Sequence, residues 1–261
     1  MLEIKDLTIQ YGDKPPVVEN FSLSLKKGEI ITIVGESGSG KSTVLSSILG
    51  LLPNGGKIIS GDIIYNGNSM LSKSLNQWRE LRGTEITMIS QDSGGTLNPI
   101  RKIGKQFVEY IQTHSKMSAK EAEEKAKDMF SKVNLPDPEI IMKSYPHQLS
   151  GGMKQRVGIA MALTFHPKII LADEPTSALD VITQAQIVKE IMDLRKKFDT
   201  SIIMVTHNLG VAAYISDKII VMQNGKIVDA GNKNEVIENP KSDYTKKLLA
   251  AVPEIGGERL V

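Results

Sequence analysis

The sequence predicts an α/β fold, and three observations carry that expectation. A β-branched apolar run, Ile30-Ile-Thr-Ile-Val34, leads into a glycine-rich loop and then into helix-like sequence. The same strand–turn–helix order returns over residues 168–206. Between the two lies a stretch with helical periodicity. Strands alternating with helices bury their apolar faces as a sheet with helices packed on it.

The elements follow in order. Leu2, Ile4, Leu7 and Ile9 roughly alternate with polar residues, as in a half-buried strand. A second strand-like stretch, residues 21–25, follows the turn-rich residues 12–16. Residues 30–34 are too short and too β-branched for a helix and read as a buried strand. The glycine loop comes next, then a helix over residues 41–52 stopped at Pro53. Residues 61–67 read as a β-ribbon with an Asn-Gly turn, and residues 86–90 as a strand delivering Gln91. Residues 92–164 read as a mainly helical insert. There Ser118 and Glu121 form a capping box, and Ala122, Ala126, Met129, Phe130 and Val133 share one helical face. A helix is expected over 153–164, a strand over 168–172, a helix near 182–198 and a strand over 201–206. Residues 221–228 read as a hairpin on a second Asn-Gly turn, and a polar tail follows from about Asn239. No internal repeat or low-complexity segment occurs.

Composition excludes several classes. There are 261 residues, 40% hydrophobic and 24% charged, which suits one large domain or a core with a subdomain. No apolar run approaches the ~20 residues that span a bilayer. Met1-Leu-Glu-Ile4 opens directly into strand-like sequence with no basic, apolar leader, so a cytoplasmic chain is expected. With 0 cysteines there is no disulfide, no thiolate zinc site and no cysteine-ligated iron–sulfur cluster. The net charge of +2 and the lack of a basic block argue against nucleic acid as a partner.

The chemistry-bearing residues begin with Gly35-Glu-Ser-Gly-Ser-Gly-Lys-Ser42, which fits G-x-x-x-x-G-K-S between a strand and a helix. Gly35, Gly38 and Gly40 let the backbone curl so that N–H groups around Glu36, Ser37, Ser39 and Thr43 form an anion nest at a helix N-terminus. Lys41 would reach the β- and γ-phosphates, and the Ser42 hydroxyl would ligate Mg²⁺. The run Ile169-Ile-Leu-Ala-Asp-Glu174 places two carboxylates at a strand end. Asp173 suits a Mg²⁺ contact, and Glu174 suits orienting the attacking water. Ser150, Gly151 and Gly152 open a helix and make a second anion site. They cannot easily serve the chain's own Lys41 loop, because one γ-phosphate needs ligands from opposite sides. His114, His147 and His166 have no mutual metal-ligand spacing and read as structural or surface residues.

The octapeptide Leu149-Ser-Gly-Gly-Met-Lys-Gln-Arg156, with the glycine loop before it and Asp173-Glu174 after it, resembles the signature of the ABC ATPases. That resemblance implies a P-loop NTPase core with an antiparallel β subdomain and an α-helical subdomain. It assigns residues 1–238 to the ATPase domain, with the helical insert at about 92–164, and 239–261 to a short tail. It also implies roles. Gln91 touches Mg²⁺ and links the core to the insert, and His207 contacts the γ-phosphate. Ser150, Gly151, Gly152 and Gln155 cap the ATP of an opposing subunit, and the Asp180 turn lies at the dimer interface. Tyr11 stacks on adenine, although a tyrosine near a turn is also a common packing residue.

Three further segments are similar to the peptide/nickel importer ATPases. They are Thr96-Leu-Asn-Pro99 with Ile103, Gly104 and Gln106; Tyr145-Pro-His-Gln-Leu-Ser-Gly-Gly-Met153 with residues 159–163; and Asn239-Pro240 with Tyr244, Thr245, Leu248, Leu249, Val252 and Pro253. This likeness implies ATP hydrolysis energising uptake of peptides, or of nickel or a metal chelate. The implied partners are two transmembrane permease subunits, an extracytoplasmic substrate-binding protein and a second ATPase, more often a different chain than a copy. The implied location is the cytoplasmic face of the membrane. Ser93 stands where proline is usual, and Ser242-Asp243 replaces His-Pro. The competing readings are a non-transport ABC ATPase acting on DNA or ribosomes, and an exporter ATPase.

Overall fold

The computed structural model describes residues 1–53, 55–177 and 179–251, and the backbone of 254–255 and 258–259. Val252 and Pro253 of the quoted motifs lie outside the described residues. The elements from the N-terminus are β1 (Leu2–Tyr11), β2 (Val18–Leu25), β3 (Ile30–Val34), α1 (Lys41–Ile48), β4 (Gly56–Tyr65), β5 (Asn68–Ser69) and α2 (Leu75–Leu81). Next come β6 (Ile86–Ile89), α3 (Ile103–His114), α4 (Ala119–Lys132), α5 (Pro138–Lys143), α6 (Gly151–Leu163), β7 (Ile169–Asp173) and α7 (Val181–Phe198). The last are β8 (Ser201–Thr206), α8 (Leu209–Ile215), β9 (Lys218–Gln223), β10 (Lys226–Asn232), α9 (Lys233–Glu238) and α10 (Asp243–Ala250).

The chain forms two units, one from Met1–Trp78 with Ser201–Val261 and the other from Arg79–Thr200. In the first unit, β1 pairs antiparallel with both β2 and β4, and β5 folds back on β4. Strand β3 lies between β8 and β9, parallel to both, and β10 returns antiparallel along β9. Every residue of β3 and β8 is buried, which is why neither shows an apolar–polar alternation. Both Asn-Gly pairs form tight hairpin turns with positive φ at each residue: 50° and 81° at Asn66 and Gly67, 48° and 78° at Asn224 and Gly225.

Two expectations in this unit are corrected. Helix α1 ends at Ile48, well before Pro53. Gly50 takes φ +60°, its N–H donates to the Ser47 carbonyl at 3.0 Å, and the Leu51 N–H donates to Ser46 at 2.9 Å. This pair of bonds is a glycine-terminated helix stop and leaves the proline nothing to do. The polar tail contains α10, whose Tyr244 and Leu249 are buried against Val34, Leu209, Ile219, Val221 and Val236. Its apolar residues fall on one face of a short helix, and the charged ones between them hid it.

In the second unit, β6 and β7 pair in parallel. Helices α3, α4 and α5 carry the insert's core, with the rings of Phe107 and Phe130 centred 5.1 Å apart. The Ser118–Glu121 capping box is present, and Ala122, Ala126, Met129, Phe130 and Val133 are all buried. Tyr110 donates its hydroxyl to the Gly83 carbonyl at 3.0 Å and meets His114 edge-on, which gives that histidine a packing role. Helix α6 begins at Gly151, two residues earlier than residue 153, because the Ser150 hydroxyl accepts the Met153 N–H at 3.2 Å as its cap.

Candidate nucleotide-binding site

In the first unit the loop of residues 35–42 leaves the carboxyl end of β3, the edge where parallel sheets present ligands. Gly40 has φ +96°, and a Cβ there would lie 2.8 Å from the Val17 carbonyl. A Cβ on Gly35 would lie 2.2 Å from the Met222 carbonyl, so the backbone approaches β9 more closely than any side chain allows. The Ser39 N–H donates to the Glu36 carbonyl at 3.2 Å and closes the turn. Lys41 is 4% exposed, and its ammonium donates to the Gly35 carbonyl at 2.8 Å and the Glu36 carbonyl at 2.7 Å. The Ser39 hydroxyl is 3.4 Å from the same ammonium. A lysine held beneath its own loop has little side-chain entropy left to lose when phosphate arrives. Glu36, Ser37, Gly38 and Ser42 are exposed, and Thr43 is half-buried.

His207 follows β8 directly and is exposed. Val34 and Thr206 are register partners, so His207 and Gly35 leave neighbouring strand ends. Tyr11 ends β1 opposite Gly56, and its ring lies where a Gly56 Cβ would be, at 2.7 Å. The ring is half-buried on that bare backbone, so the packing role is visible. The segment after it runs to Val17, whose carbonyl lies 2.8 Å from where a Gly40 Cβ would be.

In the second unit Ile89 pairs with Ala172, so Gln91 and the Asp173-Glu174 pair leave adjacent strand ends. Both carboxylate residues are half-buried. Glu174 has φ +43°, an unusual value for a residue with a long side chain. Its carbonyl accepts the Ser177 N–H at 3.2 Å and the Ser177 hydroxyl at 3.1 Å, which holds that turn. Ser150 and Gly151 are exposed at the start of α6, with Gly152 partly covered. Gln155 is more covered than its neighbours in the signature. It is 4% exposed, and its amide nitrogen has no hydrogen-bond partner among the described residues. It lines a cleft of about 250 Å³ with Gln91, Gly94, Gly95, Gly151 and Lys154. Gln155 thus lies between the Gln91 loop and the start of α6. Asp180 caps α7, accepting the Thr183 N–H at 3.0 Å and the Thr183 hydroxyl at 2.7 Å. These bonds hold its carboxyl below the usual carboxylate range.

Ser42, Gln91 and Asp173 offer only oxygen donors, the hard set that suits Mg²⁺. Among the described residues no cluster of three His, Cys, Asp or Glu could hold a metal by itself. No helix among the described residues is long and apolar enough to cross a membrane.

Two features escaped the sequence reading. The Tyr244 hydroxyl accepts the Glu36 N–H at 2.9 Å, tying α10 to the glycine loop. Arg156 pairs with Glu190 through two bonds of 3.1 and 2.8 Å, locking α6 to α7. The Tyr244, Leu248, Leu249 spacing could have revealed α10, whereas nothing local pairs Arg156 with Glu190.

The profile of the ABC transporter family matches residues 18–177. The chain is 44% identical over 259 residues to the oligopeptide transport ATP-binding protein OppD of Bacillus subtilis, spanning 98% of this chain and 72% of that protein. It is 41% identical over 258 residues to the metal-staphylopine import system ATP-binding protein CntD of Staphylococcus aureus, spanning 98% of this chain and 94% of that one. Among solved structures, cbiO1 of Clostridium perfringens superimposes with a TM-score of 0.79 at 27% identity, over 91% of this chain and 90% of the other. MJ0796, a bacterial ABC transporter cassette solved as a dimer, gives 0.78 at 30% identity, over 89% and 99%. The loop, signature and carboxylate pair thus stand on the fold expected of them, and the chain belongs to the ABC transporter family of ATP-binding proteins.

Proposed function

We propose that this chain is the ATP-hydrolysing subunit of an importer whose cargo is a peptide or a metal chelate. Near-full-length similarity to both kinds of import ATPase supports the import reading. The observation that carries the chemistry is the buried Lys41, held by loop carbonyls at the mouth of an anion nest. Lys41 and the loop N–H groups bind the β- and γ-phosphates. Bound Mg²⁺, met by Ser42, Gln91 and Asp173, would neutralise charge developing on the phosphate oxygens. Glu174 orients a water and accepts its proton as the new O–P bond forms and the bond to the ADP oxygen breaks. His207 steadies the γ-phosphate. Tyr11 offers adenine the face of its ring that Gly56 does not cover. Ser150, Gly151 and Gly152 cap an ATP held by a second ATPase subunit. Asp180 lies beside that interface, and ATP closes the pair while hydrolysis opens it. Two permease subunits convert this motion into transport, and an extracytoplasmic binding protein supplies cargo. The second ATPase is a different chain, and the pair sits at the cytoplasmic membrane face.

The test replaces the native gene with Lys41→Ala and follows uptake of a labelled oligopeptide and of a labelled metal chelate. One uptake is expected to fall to background while the protein remains present. Wild-type rates for both cargoes would overturn the import reading.

A further inference from the structure

The peptide unit between Gly35 and Glu36, where β3 becomes the glycine loop, is held from two sides. Its carbonyl accepts the Lys41 ammonium at 2.8 Å, and its N–H donates to the Tyr244 hydroxyl at 2.9 Å. Tyr244 lies 208 positions away along the chain. It is 8% exposed, and its ring packs in the cluster with Val34, the residue just before the loop. Burial pushes its phenol pKa up. The helix that carries it is anchored in turn. The Ser242 hydroxyl accepts the Tyr244 and Thr245 N–H groups at 3.1 and 3.3 Å. The buried Asp229 carboxylate of β10 accepts the N–H of Lys241 at 2.8 Å and of Ser242 at 3.4 Å. The β9–β10 hairpin adds a contact, the Gly225 N–H donating to the Ser39 carbonyl at 3.2 Å.

We infer that Tyr244 is a positioning residue for nucleotide binding and that α10 is part of the phosphate loop's support. The inference rests on the reading of residues 35–42 as that loop. When the Lys41 ammonium turns to phosphate oxygens, the Gly35 carbonyl gives up its bond to it. The Tyr244 hydroxyl then keeps the peptide unit in the orientation that shapes the nest. Support of this kind is reciprocal: if α10 favours the binding-competent loop, bound nucleotide must stabilise α10 by the same factor.

The test uses the purified full chain with Mg²⁺ and a fluorescent ATP analogue, alongside residue-resolved amide exchange. Tyr244→Phe keeps the ring and removes only the hydroxyl. Its nucleotide affinity is expected to fall about three- to tenfold, the worth of one ordinary hydrogen bond. The Glu36 amide should lose protection, and in wild type the nucleotide should slow exchange through residues 244–250. A tyrosine that merely filled the core would change the melting temperature of the free protein and leave the affinity of the folded fraction alone. Unchanged affinity in Tyr244→Phe, with binding lost in Lys41→Ala, would overturn this inference and leave the loop assignment standing. Unchanged affinity in Lys41→Ala would remove the loop assignment itself. If Tyr244→Phe does not fold, the wild-type exchange decides, and α10 protection indifferent to nucleotide refutes the coupling.

Discussion

Glu174 sits on strained backbone, at φ +43°, just past the end of β7. A non-glycine residue in that region costs roughly 1–3 kcal/mol and persists where its surroundings over-determine it. Here the strand behind it is buried and the turn after it is bonded through its own carbonyl. The proposed role of Glu174 as the catalytic base is tested by substitution. Glu174→Gln preserves shape but cannot take a proton, so turnover in the assembled transporter should fall by ~10²-fold or more with ATP binding retained. Single-turnover hydrolysis beside nucleotide titration measures both, and unimpaired hydrolysis would remove the role. Glu174 stood out in the sequence because its neighbours form a motif. Its backbone angle was not legible, since φ depends on the turn that Ser177 closes. The burial of Gln155 was not legible either, since it depends on where the 3.6-residue turn places it on α6.

At the scale of elements, the signals that proved legible are local ones. The two Asn-Gly turns and the Ser118–Glu121 box act within a few residues, and the structure contains all three. The end of α1 was misplaced because a proline is a conspicuous breaker, although Gly50 reaches the left-handed region first. Helix α10 was missed because its stability comes from the core it docks on; eight residues form no stable helix alone. The capping box yields a quantitative expectation. Ser118→Ala removes the acceptor of the Glu121 N–H and should destabilise the folded chain by about 1 kcal/mol. Urea unfolding would show a lower midpoint at an unchanged slope. ATP affinity should not change, because α4 carries none of the proposed phosphate contacts. A loss of affinity in this variant would show that the insert communicates with the nucleotide in the isolated chain.

For the molecule as a whole, each unit gathers part of the chemistry at the carboxyl ends of its parallel strands. The glycine loop and His207 share one such edge, and Gln91 and the Asp173-Glu174 pair share another. The α/β class was legible from the strand–turn–helix alternation. The division at residues 78 and 200 was not, since the insert read from periodicity spans only 92–164. Periodicity marks helices, whereas a unit boundary depends on which elements pack together. The central claim is that the start of α6 serves a nucleotide bound by another subunit, and Gly151→Asp tests it most directly. A Cβ there meets only Leu179, at 3.5 Å, an ordinary contact. A carboxylate in the first turn of α6 also suits the helix dipole, by about 0.3–1 kcal/mol, so the fold should be preserved. The same charge about 4 Å from a docking γ-phosphate would repel it by about 4 kcal/mol per unit charge at an effective dielectric near 20. The measurement is ATP binding to the isolated variant chain together with ATPase activity of the transporter assembled with it. The account predicts affinity within about twofold of wild type and hydrolysis at background, a barrier of that size corresponding to roughly 10³-fold. Wild-type hydrolysis in the assembled complex, or lost ATP binding in a well-folded isolated chain, would contradict it.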